Sequence, residues 1–159
     1  MTDTNRRGAL LLGLGGAAAI ATGIAPGIVT GARAAQDAIF EDHGLAILGA
    51  DPVAYFTLGT AVEGNAAFRF TWQQATWQFA SARNRDRFAA DPGAFAPQYG
   101  GYCAYAVSKG FTAAIDPVAW TIHDGKLYLN FNTRTRTRFQ RDLEGNITRA
   151  NANWPAVLA

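Results

Sequence analysis

The chain has 159 residues, 49% of them hydrophobic and 16% charged, with a formal net charge of +2. Its single cysteine excludes an internal disulfide framework. It contains no Cys-x-x-Cys, no His-Glu-x-x-His and no Walker-type loop, which removes the strongest metal, protease and nucleotide signatures.

Arg6-Arg7 precede Gly8 to Ala32, a run without a charge, and Ala32-Arg33-Ala34 follows as a small-x-small cleavage signal. This layout predicts an export signal over residues 1–34, of the twin-arginine type, and a periplasmic or secreted product. A retained membrane anchor is the competing reading, because the run is long enough to span a bilayer. Its many glycines and alanines favour the cleaved signal. Cleavage near Ala34 removes Arg6, Arg7, Arg33 and Asp3, so the net charge of +2 falls to zero. No overall charge then points to nucleic acid, or to a membrane beyond the export signal.

A leader over 35–48 carries the start of the apolar patch "GLAILGA". The domain proper covers 49–155, with a tail over 156–159. Asp51-Pro52 signals a turn, and Val53, Tyr55 and Phe56 suit a short strand. "FRFTW" and "TWQFA" alternate with period two and are joined through Gln73-Gln74-Ala75, which predicts a hairpin. Phe68, Phe70 and Trp72 would line one face, and Trp77 and Phe79 another. Ser81 caps a helix over "ARNRDRFAA". Asp91-Pro92 then ends it and starts a short second turn, with Phe88 and Phe95 as core anchors.

After Gly100-Gly101, "YCAYAVSK" favours a helix of about two turns with Gly110 just past its end. "AWTIH-DG-KLYLNF" predicts a second hairpin on its Asp-Gly turn. Its register pairs His123 with Lys126, Ile122 with Leu127 and Trp120 with Leu129. Trp120, Ile122, Leu127, Leu129 and Phe131 would face the core. Thr121, His123, Tyr128 and Asn130 would face away. Asn132 caps a terminal helix that Gly145 breaks, and Ile147, Ala150 and Trp154 share one face of its second piece. "DPVA" before an aromatic occurs twice, at Asp51–Tyr55 and Asp116–Trp120, and reads as one turn-into-strand solution used twice. The predicted class is α+β: a small single domain with two antiparallel β-hairpins and segregated short helices.

The segments "GADPVAYFTLG", "FRFTWQQATWQFASARNRDRFAADPGAFAPQYGGYCAYAVSKG", "DPVAWTIHDGKLYLNFN" and "ANANWP" resemble the YHS domain family, in its exported single-domain bacterial branch. The resemblance covers nearly all of Gly49 to Pro155. It implies a loose association with metals, since related domains accompany heavy-metal transport proteins. Those relatives have a "DPVC" start and a "FCS-x-x-C" segment. This chain has Ala54, Ala80 and Asn84 at the matching positions, and Trp77-Gln78-Phe79-Ala80-Ser81 where the Tyr-His-Ser signature would lie. The thiolates that would select copper or zinc are therefore missing.

Cys103 is the sharpest candidate for chemistry. At the start of a helix its thiol would be activated, and Gly100 and Gly101 would let a ligand approach the backbone. Tyr99, Tyr102 and Tyr105 would line the same pocket. The competing reading makes Cys103 a small core residue, packed under the glycine turn with its sulfur toward the tyrosines. His43 and His123 would complete a copper or zinc site with Cys103, or supply the base of a Cys–His pair. Arg134, Arg138 and Arg141 share a helical face that would meet either solvent or an acidic partner. Two functions stand out: a periplasmic binding or accessory module for a metal ion or small ligand near Cys103, and a non-catalytic interaction or structural domain.

Overall fold

The computed structural model describes residues 35–159, so the expectations for Arg6-Arg7 and the cleavage signal lie outside the described residues. The leader forms a miniature ribbon, β1 (Glu41–Asp42) and β2 (Leu45–Ala46). Helix α1 (Pro52–Thr57) follows, then the hairpin β3 (Asn65–Trp72) and β4 (Ala75–Phe79). Next come α2 (Ala82–Ala90), α3 (Pro92–Phe95) and α4 (Ala104–Ser108). The second hairpin is β5 (Asp116–His123) and β6 (Lys126–Asn130), and the chain ends in α5 (Thr133–Arg141) and α6 (Leu143–Asn153). The three ribbons are separate two-stranded antiparallel sheets. This is a small single-domain α+β fold, as the sequence predicts. Among the described residues, no helix is long and apolar enough to cross a membrane.

Both larger hairpins close through two left-handed residues, Gln73-Gln74 and Asp124-Gly125. Positive φ at both positions matches the right-handed twist of the strands. The register of β5 and β6 is the expected one: His123 opposite Lys126, Ile122 opposite Leu127, Trp120 opposite Leu129. In the first hairpin Phe70 lies opposite Trp77, so the two aromatic faces are one. That face surrounds Phe88 of α2, whose ring centroid lies 5.1 Å from Trp77 and 5.8 Å from Trp72. Ser81, Asp91 and Asn132 cap α2, α3 and α5 as expected.

Four further expectations are corrected. The segment after Asp51-Pro52 is α1 and not a strand. Asp51 Oδ1 accepts from the Val53 and Ala54 amides at 2.9 and 3.3 Å, and Pro52 occupies the first helical position. The second "DPVA" does run into a strand. The same four residues thus adopt two structures, and Tyr55, the aromatic after the first copy, donates its hydroxyl to the Pro117 carbonyl of the second at 2.9 Å.

The β5–β6 ribbon has no solvent face. Leu127 and Leu129 enter one core with Trp77, Phe79 and Phe88. Tyr128 on the other face enters a second core with Tyr99, Phe139 and Ala150, covered by α4, α5 and α6. Asn130 and Thr121, expected outward, are buried too.

Phe131, expected in the core, is 53% exposed. β6 ends at Asn130, so the alternation stops one residue earlier and the chain turns into the α5 cap.

Gly145 does not break the terminal helix. The break is at Asp142, with φ −139° and ψ 63°, and Gly145 lies inside α6. A side chain at Gly145 would have to displace the exposed Asp142 carboxylate.

Candidate functional site

Cys103 caps the N-terminus of α4, and its sulfur meets the end of β6. Its amide donates to the Ala113 carbonyl at 3.0 Å, which ties it to the segment leading into β5. The Phe131 amide donates to Sγ at 3.3 Å. The thiol points to Asn130 Oδ1 at 3.9 Å, and the same oxygen accepts the Tyr105 amide at 3.3 Å. Cys103 is 1% exposed. Burial pushes its pKa above the ordinary thiol value, and amide donors from Ala106, Phe131 and Tyr105 only partly oppose that shift. The helix start therefore does not activate this thiol. Burial is the larger effect.

Above the sulfur is a surface hollow of about 280 Å³. Buried Cys103 and Ala106 form its deep part, with Ala113 alongside. Three aromatic rings, Tyr105, Phe111 and Phe131, line the rest. Helix α5 contributes Thr135 and Arg138. Phe111 is 51% exposed, so two phenylalanines stand half out of the core around one opening. The lining is mostly apolar, with few polar atoms, the composition of small-molecule sites.

The other predicted site residues are dispersed. Tyr99 donates its hydroxyl to Asn151 Oδ1 at 2.9 Å and packs on Trp154 and Tyr128. Tyr102 donates to the Asp37 carbonyl at 2.9 Å. Burial raises both phenol pKa values. Both rings belong to the second core, and of the three tyrosines only Tyr105 lines the hollow, with Lys109 Nζ 4.9 Å from its ring centroid. The Cys103 sulfur accordingly faces Asn130 and the Phe131 amide, not a pocket of three tyrosines. Gly100 and Gly101 admit the chain itself. Gly100 (φ +61°) abuts the Ala38 carbonyl and accepts the Phe40 amide at 2.8 Å. Gly101 (φ +85°) leaves room for Ile47. Any side chain at either position would push the leader off.

The histidines lie elsewhere. His43 sits in the β1–β2 turn, 92% exposed, 3.6 Å from Asp42. His123 is at the turn end of the β5–β6 ribbon, opposite the end that meets Cys103. Its Nε2 lies 2.6 Å from Glu144 Oε1 and 3.4 Å from Asp124 Oδ2. Cys103, His43 and His123 are therefore not brought together. Among the described residues no three His, Cys, Asp or Glu side chains are placed to hold a metal ion.

Sequence reasoning missed Asp51, a fully buried carboxylate. Its Oδ2 accepts from the Ala80 amide at 2.9 Å and Asn84 Nδ2 at 2.7 Å, while Oδ1 accepts the two α1 amides. Ala54, Ala80 and Asn84 thus converge on one oxygen pair. They do not suit a soft metal. Ala54 and Ala80 have no donor atom, and the Asp51 oxygens are already engaged by four N–H groups. The signal was present in the sequence, since Asp51-Pro52 has the same cap-and-proline form as Asp91-Pro92. Phe111, Ala113, Thr135 and Arg138 were also missed as lining residues. They come from two separate segments, the loop before β5 and helix α5, that only the fold brings together.

Comparison with family models, curated proteins and solved structures gave no match for this chain.

Proposed function

We propose that this chain is an exported YHS-like domain that works as a periplasmic binding or accessory module, holding a small ligand in the hollow over Cys103. The observation that carries this reading is the pair Phe111 and Phe131. Both are held about half in solvent around a recess that is already formed. Exposed aromatic surface gathered around one opening marks a binding site far more often than scattered exposure does. A purely structural Cys103 accounts for the buried thiol but leaves these two rings without a role. The export half of the reading rests on Arg6-Arg7 and Ala32-Arg33-Ala34.

A protein-interaction domain is the second reading. It draws on Leu58 and Val118, which are 65% and 54% exposed. The two readings separate in a titration of the full chain with phenylacetamide, a neutral aromatic amide, followed by backbone NMR. Shifts concentrated at Cys103, Ala106, Ala113, Phe131 and Thr135 support the small-ligand module. Absent shifts, or shifts scattered over the surface, overturn it and leave the interaction domain.

A further inference from the structure

Resting on that reading of the hollow, we infer that its ligand is a small organic monoanion: an aromatic or short aliphatic body carrying one carboxylate, with Arg138 as the counter-charge. Helix α5 reads Thr-Arg-Thr-Arg-Thr-Arg-Phe-Gln-Arg and contains no acidic residue. Arg138 is exposed and forms no salt bridge with any described residue, whereas Arg85 and Arg149 are paired with Asp86 and Asp142. The cation at the rim of the hollow thus has no paired carboxylate among the described residues. Thr135 lies three residues earlier, on the same helical face and within the first turn of α5. Its hydroxyl is a donor, and the positive end of the helix dipole adds to the field there.

The remainder of the lining sets the rest of the ligand. Among Cys103, Tyr105, Ala106, Phe111, Ala113 and Phe131 there is one hydroxyl, that of Tyr105, and no second cation; Lys109 is not a lining residue and sits against the Tyr105 ring. A doubly charged or polyhydroxylated ligand would lose hydration there without replacement hydrogen bonds. An apolar body would instead lie between the phenylalanine rings, with its charged end at the Arg138 guanidinium. A planar guanidinium suits a carboxylate because it binds both oxygens at once. The volume, about 280 Å³, is at the small end for ligand pockets, which limits the body to one ring or a short chain.

The test compares phenylacetate with phenylacetamide, which differ in charge and hardly in shape, on the full chain by calorimetry at matched ionic strength. The acid is expected to bind about tenfold tighter than the amide in the wild type. Arg138→Gln should abolish that advantage, bringing the acid and amide affinities to within about twofold of each other. Raising the salt should weaken only the acid. Equal affinities in the wild type, or a preference that survives Arg138→Gln, would overturn the assignment of an anion while the binding module stands. Binding of neither probe would overturn both.

Discussion

The Phe131 amide donates to the Cys103 sulfur at 3.3 Å, yet Cys103 is 1% exposed and the Phe131 side chain is 53% exposed. One backbone contact joins the deepest point of the hollow to its rim. It exists because β6 stops at Asn130. The chain leaves the sheet there, aims the Phe131 N–H inward and turns its ring out. This arrangement shields the thiol and creates the opening above it in the same step.

Iodoacetamide should label Cys103 slowly in the native protein and at the ordinary thiol rate after unfolding, because burial raises its folded pKa. Fast native labelling with a midpoint below the ordinary value of about 8.5 would show an activated thiol instead.

The same shift has a consequence for stability. A pKa raised by folding means that the unfolded chain releases its proton first. The stabilising contribution is fully present below the unfolded value and is lost as pH rises through the folded one. Tyr55, Tyr99, Tyr102 and Tyr128 are shifted the same way by burial. Stability in urea should therefore be flat near neutrality, begin to fall above about pH 8.5, and fall faster above about pH 10. Cys103→Ala should remove the earlier onset and keep the later fall. Stability that rises between pH 8 and pH 10 would contradict this.

Asp51 should be the most sensitive polar position. Asp51→Ala removes the cap of α1 and strands the Ala80 amide and the Asn84 side chain. The expected loss is about 3–5 kcal/mol by urea unfolding. A loss under about 1 kcal/mol would mean that water replaces the carboxylate freely.

The two covered faces of the β5–β6 ribbon predict similar costs for neighbours of opposite orientation. Leu129→Ala and Tyr128→Ala should each cost about 3 kcal/mol, because each leaves a cavity in its own core. A ribbon with one solvent face would lose that much only for Leu129→Ala.

Gly100→Ala should loosen the leader selectively. The added methyl meets the Ala38 carbonyl, and φ is +61°. Amide exchange at Phe40 should speed up markedly while Leu127 and Leu129 stay protected. Uniform exchange would show that the leader is not held at this glycine.

The sequence revealed what short-range patterns encode. The Asp-Gly turn set the register of β5 and β6, and the caps Ser81, Asp91 and Asn132 set three helix starts. It misled where tertiary packing decides. Val53, Tyr55 and Phe56 have strand-like side chains, yet the buried Asp51 carboxylate holds their segment helical. Alternation along KLYLNF suggested one buried face, but α4, α5 and α6 cover the other. The hollow was illegible for a different reason. Cys103 and Tyr105 were visible as candidates, while Phe131 and Arg138 become their neighbours only where the end of β6 and helix α5 pack over α4, and Phe111 only through the turn that follows α4.

The central claim is that the hollow over Cys103 binds a small ligand, and the rim phenylalanines test it most directly. Both rings are about half in solvent, so Phe111→Ala with Phe131→Ala should cost about 1–2 kcal/mol of stability and leave the fold intact. The deciding quantity is the phenylacetamide dissociation constant of this double variant against the wild type. The account predicts at least a tenfold weakening, with the NMR shifts at Cys103 and Thr135 lost. An unchanged constant would contradict it and leave the recess a surface irregularity of an interaction domain.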